Sequence, residues 1–265
     1  NQGFESIRIN DNFYVDKTAF IKEWWESGDV VTLITRPRRF GKTLNMDMLK
    51  CFFSNKYAGR SDLFEGLSIW NEEKYRKLQG QYPVIFVSFA DVKERNCESA
   101  VQKIKRILVD LYLQYDFLKD KFSDSDLLRY QQITYDMDNV TAQDALKNLS
   151  ALLNNYYGKK AIILLDEYDT PMQEAYIHGY WEEFTGFMRS MFNATFKTNP
   201  YLERAVMTGI TRVSKESMFS DLNNLNVVTL TSDEYASAFG FTEKEVFEAL
   251  DDYGMSEEKE KVKKW

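Results

Sequence analysis

Thr35-Arg36-Pro37-Arg38-Arg39-Phe40-Gly41-Lys42-Thr43 follows an apolar run, Val30-Val31-Thr32-Leu33-Ile34, and precedes Leu44, Met48, Leu49, Phe52 and Phe53 at helical spacing. Strand, loop and helix in that order, with Gly-Lys-Thr closing the loop, predict a phosphate-binding loop. Gly41 leaves the main chain uncrowded enough to wrap a phosphate. Lys42 would reach the β- and γ-phosphates, and the Thr43 hydroxyl would meet Mg²⁺. The first loop position departs from the pattern, since Arg36 stands where glycine is expected. Gly-Lys-Thr alone recurs by chance, so the reading leans on the flanking elements and on a second motif downstream.

That motif is Ala161-Ile162-Ile163-Leu164-Leu165-Asp166-Glu167-Tyr168-Asp169, an apolar run that ends in adjacent carboxylates. An unbroken apolar run suits a central strand of a parallel sheet, because helices cover both of its faces. Ligands of such sheets bind at the carboxyl ends of the strands, so Thr43 and Asp166 should meet in one crevice. Asp166 would then hold the Mg²⁺ shell and Glu167 direct the water that attacks the γ-phosphate. Asp169 has two equal readings, an extension of the metal cluster or the entry residue of the helix begun by Thr170-Pro171. A nuclease that uses Asp166, Glu167 and Asp169 as a metal cluster is a weaker third class of function.

Arg36, Arg38, Arg39 and Lys42 place four positive charges within seven residues. Their position on the loop favours phosphate contact by at least one arginine, with a nearby nucleic-acid strand or a solvated basic turn as the other readings. Arg36 beside Pro37 also stiffens the loop, which would make nucleotide turnover weak or slow.

The chain has 265 residues, 44% hydrophobic and 15% aromatic, enough for one large α/β domain with an appended piece. A net charge of −7 argues against a chain that coats nucleic acid through its overall field. Two cysteines and one histidine offer no metal-site spacing and fit a reduced, cytoplasmic setting. No apolar stretch approaches the roughly 20 residues of a membrane span. Asn1-Gln2-Gly3-Phe4-Glu5 is neither a signal peptide nor an initiating methionine, and the Lys/Glu-rich end at Trp265 resembles an interrupted helix, so a fragment is expected.

Five strands are predicted at 30–34, 84–89, 161–165, 204–210 and near 227–230, separated by helices. Together they imply a doubly wound parallel sheet. The strand at 84–89 is expected between the two motif strands, the arrangement of ATPases with a catalytic glutamate. Thr141-Ala142-Gln143-Asp144 resembles a helix start, and Gly158 a stop. Thr242-Glu243-Lys244-Glu245 has capping-box spacing, with Val246, Phe247 and Leu250 on the buried side. We therefore expect an ATPase domain over 1–240 and the start of a helical lid, or a linker, over 241–265.

Tyr14-Val15-Asp16-Lys17-Thr18, the loop Arg36 to Thr43, Leu165-Asp166-Glu167-Tyr168-Asp169, Thr208-Gly209-Ile210 and Phe239-Gly240-Phe241-Thr242 resemble, in order, the prokaryotic AAA-ATPase-like family. The arginine-rich loop is the most specific element, and the resemblance makes Arg36 a family trait rather than a lost glycine. It implies a P-loop NTPase of the STAND/AAA type, with ATP and Mg²⁺ as cofactors and a PD-(D/E)XK-type nuclease domain often following. By resemblance, residues 36–43, Arg36, Pro37, Arg38, Arg39, Phe40, Gly41, Lys42 and Thr43, bind nucleotide. Thr43 and Asp166 hold the metal, Glu167 and Lys42 serve the reaction, and Thr208 is the polar sensor. Arg212 would reach a γ-phosphate in cis, or in a neighbouring copy of a homo-oligomer. Asp16 and Lys17 are candidates for a base or ribose pocket. The leading expectation is ATP hydrolysis that drives or gates a partner; the alternative is a nucleotide-dependent switch with negligible turnover.

Overall fold

The computed structural model describes residues 3–211, 219 and 222–264. Its centre is a five-stranded sheet: β1 (Val31–Thr35), β2 (Val84–Ser88), β3 (Ala161–Asp166), β4 (Leu202–Gly209) and β5 (Leu225–Val228). Every pairing is parallel, and the order across the sheet is β2-β3-β4-β1-β5. The apolar runs that end in the two motifs become β1 and β3, buried along their whole length.

The helices in chain order are α1 (Phe4–Ile9), α2 (Ala19–Ser27), α3 (Lys42–Phe53), α4 (Glu73–Leu78), α5 (Cys97–Leu113) and α6 (Asp124–Gln131). They continue with α7 (Asn139–Tyr157), α8 (Thr170–Ile177), α9 (Trp181–Phe192), α10 (Glu243–Asp252) and α11 (Lys259–Lys263). Successive strand residues point to opposite sides, and they feed two separate cores. Ala161, Ile163, Leu165 and Met207 join the core built by α5, α7, α8 and α9. Ile162, Leu164 and Val206 join the one built by α1, α2 and α3. The buried Thr32 in the middle of β1 is satisfied, because the indole N–H of buried Trp24 donates to its Oγ1 at 3.2 Å. Among the described residues no helix is long and apolar enough to cross a membrane.

Two expectations need correction. The strand at 84–89 lies between the motif strands in sequence but not in space. β2 is an edge strand beside β3, and β4 occupies the place between β3 and β1. Burial explains the exchange: Phe86 and Ser88 of β2 stay half-exposed as an edge allows, whereas β4 is buried from Ala205 to Gly209. The helix expected to start at Thr141 begins at Asn139, since the Asp138 carboxylate accepts the Thr141 N–H at 2.7 Å and is the true cap. Gly158 ends that helix in the left-handed conformation, as expected.

The capping box at Thr242 and Glu245 is formed and opens α10. Val246, Phe247 and Leu250 are only half-buried there. Phe13, from the N-terminal segment, meets Tyr253 edge-on at 5.5 Å.

Gly209, the last residue of β4, carries the tightest constraint on this framework. A Cβ there would lie 2.6 Å from Asp169 Oδ1 and 2.7 Å from the Tyr168 ring, and both side chains are fully buried. Gly209→Ala should therefore cost roughly 1–3 kcal/mol by overpacking, seen in thermal unfolding as a fall of about 2–4 °C per kcal/mol. Gly186→Ala, where a Cβ would meet open space, should leave the melting temperature unchanged or raised.

Candidate nucleotide-binding site

The loop after β1 turns sharply into α3. Arg39 and Gly41 both take left-handed conformations, φ +66° and +76°, and Gly41 stands at the cap position of α3 with no side-chain cap. Glycine tolerates that conformation freely, whereas Arg39 is held in it at a cost. The main-chain N–H groups from Arg38 to Leu44 donate no hydrogen bond among the described residues. Unused donors along a turn that becomes a 12-residue helix form an anion cradle, reinforced by the helix dipole.

A cleft of about 740 Å³ opens over this turn, lined among others by Arg38, Arg39, Lys42, Thr43, Glu167 and Lys93. The Lys42 ammonium is almost fully buried and donates to the carbonyls of Arg36 and Pro37 at 3.0 and 2.9 Å. Burial pushes its pKa down, while the carboxylates of Glu167, Asp166 and Asp169 pull it back up. A buried cation paired mainly with carbonyls can gain from an anionic ligand.

Asp166, at the end of β3, joins three elements. It is 2% exposed, and one carboxylate oxygen accepts the Thr43 hydroxyl of α3 at 2.7 Å. The other accepts the Thr208 hydroxyl of β4 in a very short contact. Glu167 follows with φ +51°, a conformation uncommon for a non-glycine residue. Its Oε2 accepts the Thr170 hydroxyl at 3.1 Å, while Oε1 makes no hydrogen bond among the described residues. A hydroxyl and a carboxylate in contact, beside a second carboxylate and an uncapped helix start, fit a hydrated Mg²⁺ with its phosphates: the ion takes oxygen ligands and keeps several waters.

Asp169 is the entry residue of α8, as one of its two readings had it, and its carbonyl accepts the Gln173 N–H at 2.9 Å. Its side chain does not cap the helix; its Oδ2 accepts the N–H groups of Ile210 and Thr211 at 3.0 and 2.8 Å and the Thr211 hydroxyl at 2.8 Å. Fully buried and committed to the chain after β4, it ties the two strand ends together. Among the described residues no three His, Cys, Asp or Glu side chains are grouped to hold a metal ion, so the three-carboxylate nuclease reading finds no support there.

Arg36 also differs from expectation. Its guanidinium is 3% exposed and donates to the carbonyls of Thr35 at 3.0 Å, Val228 at 3.4 Å and Glu234 at 3.4 Å. It lies over the Phe239 ring at 5.4 Å, and burial lowers its pKa. Three further bonds join the same C-terminal segment to the loop and the N-terminal residues. Asn45 donates to Ala238 O at 2.7 Å, Gly240 N–H to Phe40 O at 3.0 Å, and Lys17 to Ser237 O at 2.7 Å. Lys17 also pairs with Glu245 at 2.6 Å. Burial works to raise the Glu245 carboxyl, but Lys17 and the Thr242 N–H outweigh it and leave its pKa below the ordinary value. Asp16 accepts the N–H groups of Thr18 and Ser68, while Lys17, though paired with Glu245, also lines the recess beside Phe40 and Phe241.

Phe40, Gly41, Tyr14, Ala238 and Phe241 border a smaller, mostly apolar recess of about 150 Å³. The recess and the cleft share Arg39, Gly41 and Leu44. Arg212 lies outside the described residues.

A turn with unused N–H groups at the end of β1, two carboxylates at the end of β3 and β4 between those strands agree with the sequence comparison. The family profile described as AAA-ATPase_like, Predicted AAA-ATPase, matches residues 1–219. The chain belongs to this predicted AAA-ATPase family. It is also similar to an "Uncharacterized protein in vnfD 5'region" of Azotobacter chroococcum mcd 1, 27% identical over 247 residues. That alignment covers 92% of this chain and 43% of the relative, so the chain spans less than half of the relative's length. No solved structure matches the chain. Nucleotide binding is in keeping with this family.

Among the loop arginines, only Arg38 and Arg39 line the cleft; Arg36 secures the C-terminal segment. Arg36→Ala should leave the carbonyls of Val228 and Glu234 without that donor and cost roughly 1–3 kcal/mol. Hydrogen exchange should then be at least about tenfold faster across 228–241. Arg38→Ala should leave that protection unchanged.

Proposed function

We propose that the chain binds ATP with Mg²⁺ and hydrolyses it, in a doubly wound P-loop domain over 1–240 with the helices of 241–265 as a lid. The observation that carries the reading is Thr43 and Thr208 converging on Asp166 beside an uncapped helix start whose N–H groups are unused. The apolar recess bordered by Phe40 and Phe241 would take the base and the larger cleft the phosphates.

In this reading the N–H groups at the start of α3 hold the β-phosphate, and the Lys42 ammonium exchanges its carbonyl partners for phosphate oxygens. Mg²⁺, held by the Thr43 hydroxyl and through the Asp166 carboxylate, would neutralise charge between the β- and γ-phosphates. Glu167, fixed through Thr170, orients the attacking water and takes up its proton. Thr208 keeps the Asp166 carboxylate in place and serves as the polar sensor. Arg212 remains the candidate arginine finger, in cis or from another copy.

A nucleotide-dependent switch is the second reading, and the bonds from the loop to residues 228–241 favour it. A loop reshaped by phosphate would act directly on that segment, and through it on a partner such as a nuclease-like domain. The absence of a membrane-spanning helix among the described residues is compatible with action in the cytoplasm.

Glu167→Gln separates the two readings. An ATPase should lose at least about 100-fold in phosphate release, as expected for loss of a general base, with ATP affinity kept within a few-fold. A switch with negligible turnover would show no change in phosphate release.

A further inference from the structure

Among the described residues, Lys93 is the one cleft-lining cation that lies outside the loop before α3 and the first turn of that helix. It sits in the connection between β2 and α5, and both sides of that connection are pinned. The Phe89 N–H donates to Asp166 O at 3.0 Å, the Val92 N–H to Phe89 O at 3.0 Å, and the Val92 side chain is fully buried. On the other side the Tyr180 hydroxyl donates to Glu94 O at 2.7 Å. Lys93 therefore stands on a braced turn, yet its ammonium is exposed and makes no hydrogen bond or ion pair among the described residues.

The sheet order fixes which end of a ligand Lys93 faces. β2 lies next to β3 and three strand spacings from β1, roughly 14 Å at the usual separation. Ser88 at the end of β2 is in register with Asp166. Lys93 thus enters the cleft from the side of Asp166 and Glu167, opposite the apolar recess, which lies beyond Gly41 beside Phe40 and Phe241. A nucleotide with its base in the recess and its phosphates over Gly41 to Thr43 would run toward Glu167. Its last phosphate would come within reach of a lysine side chain based on the β2 turn.

We propose that Lys93 contacts the terminal phosphate of a bound nucleoside triphosphate, so that the site tells tri- from diphosphate through the β2–α5 turn. The assignment rests on the nucleotide reading above. An ammonium is a compact point charge suited to a phosphate oxygen, and at this position a diphosphate would leave it in water.

Calorimetry with Mg²⁺ and either ADP or a non-hydrolysable ATP analogue with a β,γ-imido bridge tests the assignment on the wild type, Lys93→Ala, Lys93→Arg and Lys42→Ala. Thermal unfolding of each variant confirms that the fold is kept. Lys93→Ala should weaken the triphosphate analogue about tenfold and ADP less than twofold, with Lys93→Arg recovering most of the loss. Equal effects on both nucleotides, or none on either, would overturn the role of Lys93 while the nucleotide site stands, provided Lys42→Ala abolishes binding. If the wild type binds neither nucleotide, or Lys42→Ala binds both as well as the wild type, the nucleotide reading fails and the Lys93 assignment with it.

Discussion

The Asp166 carboxylate holds the candidate site together. Its two oxygens accept hydroxyls from Thr43, at the start of α3, and Thr208, near the end of β4. A buried carboxylate is costly unless charge-assisted hydrogen bonds satisfy it, and these two bonds do so while fixing three elements against one another. The parallel order β3-β4-β1 makes the junction possible. It places β4 between the strand that carries the carboxylate and the strand that launches the loop. Gly209 and Asp169 reinforce the same corner, one by giving up a side chain and the other by accepting two main-chain N–H groups.

The arginine-rich loop divides its labour. Arg38 and Arg39 face the cleft, whereas Arg36 turns away from it and binds carbonyls of β5 and of the segment that follows. A glycine at that position would leave the carbonyls of Val228 and Glu234 without this donor. The arginine-rich loop is thereby bonded directly to the chain leading into α10. A change of loop shape must be felt there, because Asn45 and Phe40 hold the same segment. Under the proposed nucleotide reading, these contacts would carry a change at the loop to the chain that leads into α10.

Much of this was legible in the sequence because it depends on local pattern. The unbroken apolar run before Asp166 announced a fully buried parallel strand, the apolar run before Thr35 announced a second strand, and Gly41-Lys42-Thr43 announced the turn into α3. The capping box at Thr242 and the stop at Gly158 are short-range features and read correctly. What failed was long-range. Which strand separates the two motifs depends on crossovers that spacing does not encode, so β4 and β2 were exchanged. The contacts of Arg36, Lys17 and Asp169 reach partners 41 to 228 residues away, which local pattern does not encode. For Lys93 the only signal was a lysine shortly after a buried strand, too common a feature to single out without the cleft.

The most direct test is a calorimetric titration of ATP, with and without Mg²⁺, into the wild-type chain and Asp166→Asn. If Asp166, Thr43 and the start of α3 form a metal-assisted triphosphate site, the wild type binds ATP in the micromolar range only with Mg²⁺. Asp166→Asn then loses most of that Mg²⁺ enhancement while staying folded. Binding that is indifferent to both Mg²⁺ and Asp166, or no binding by the wild type at all, would contradict the account.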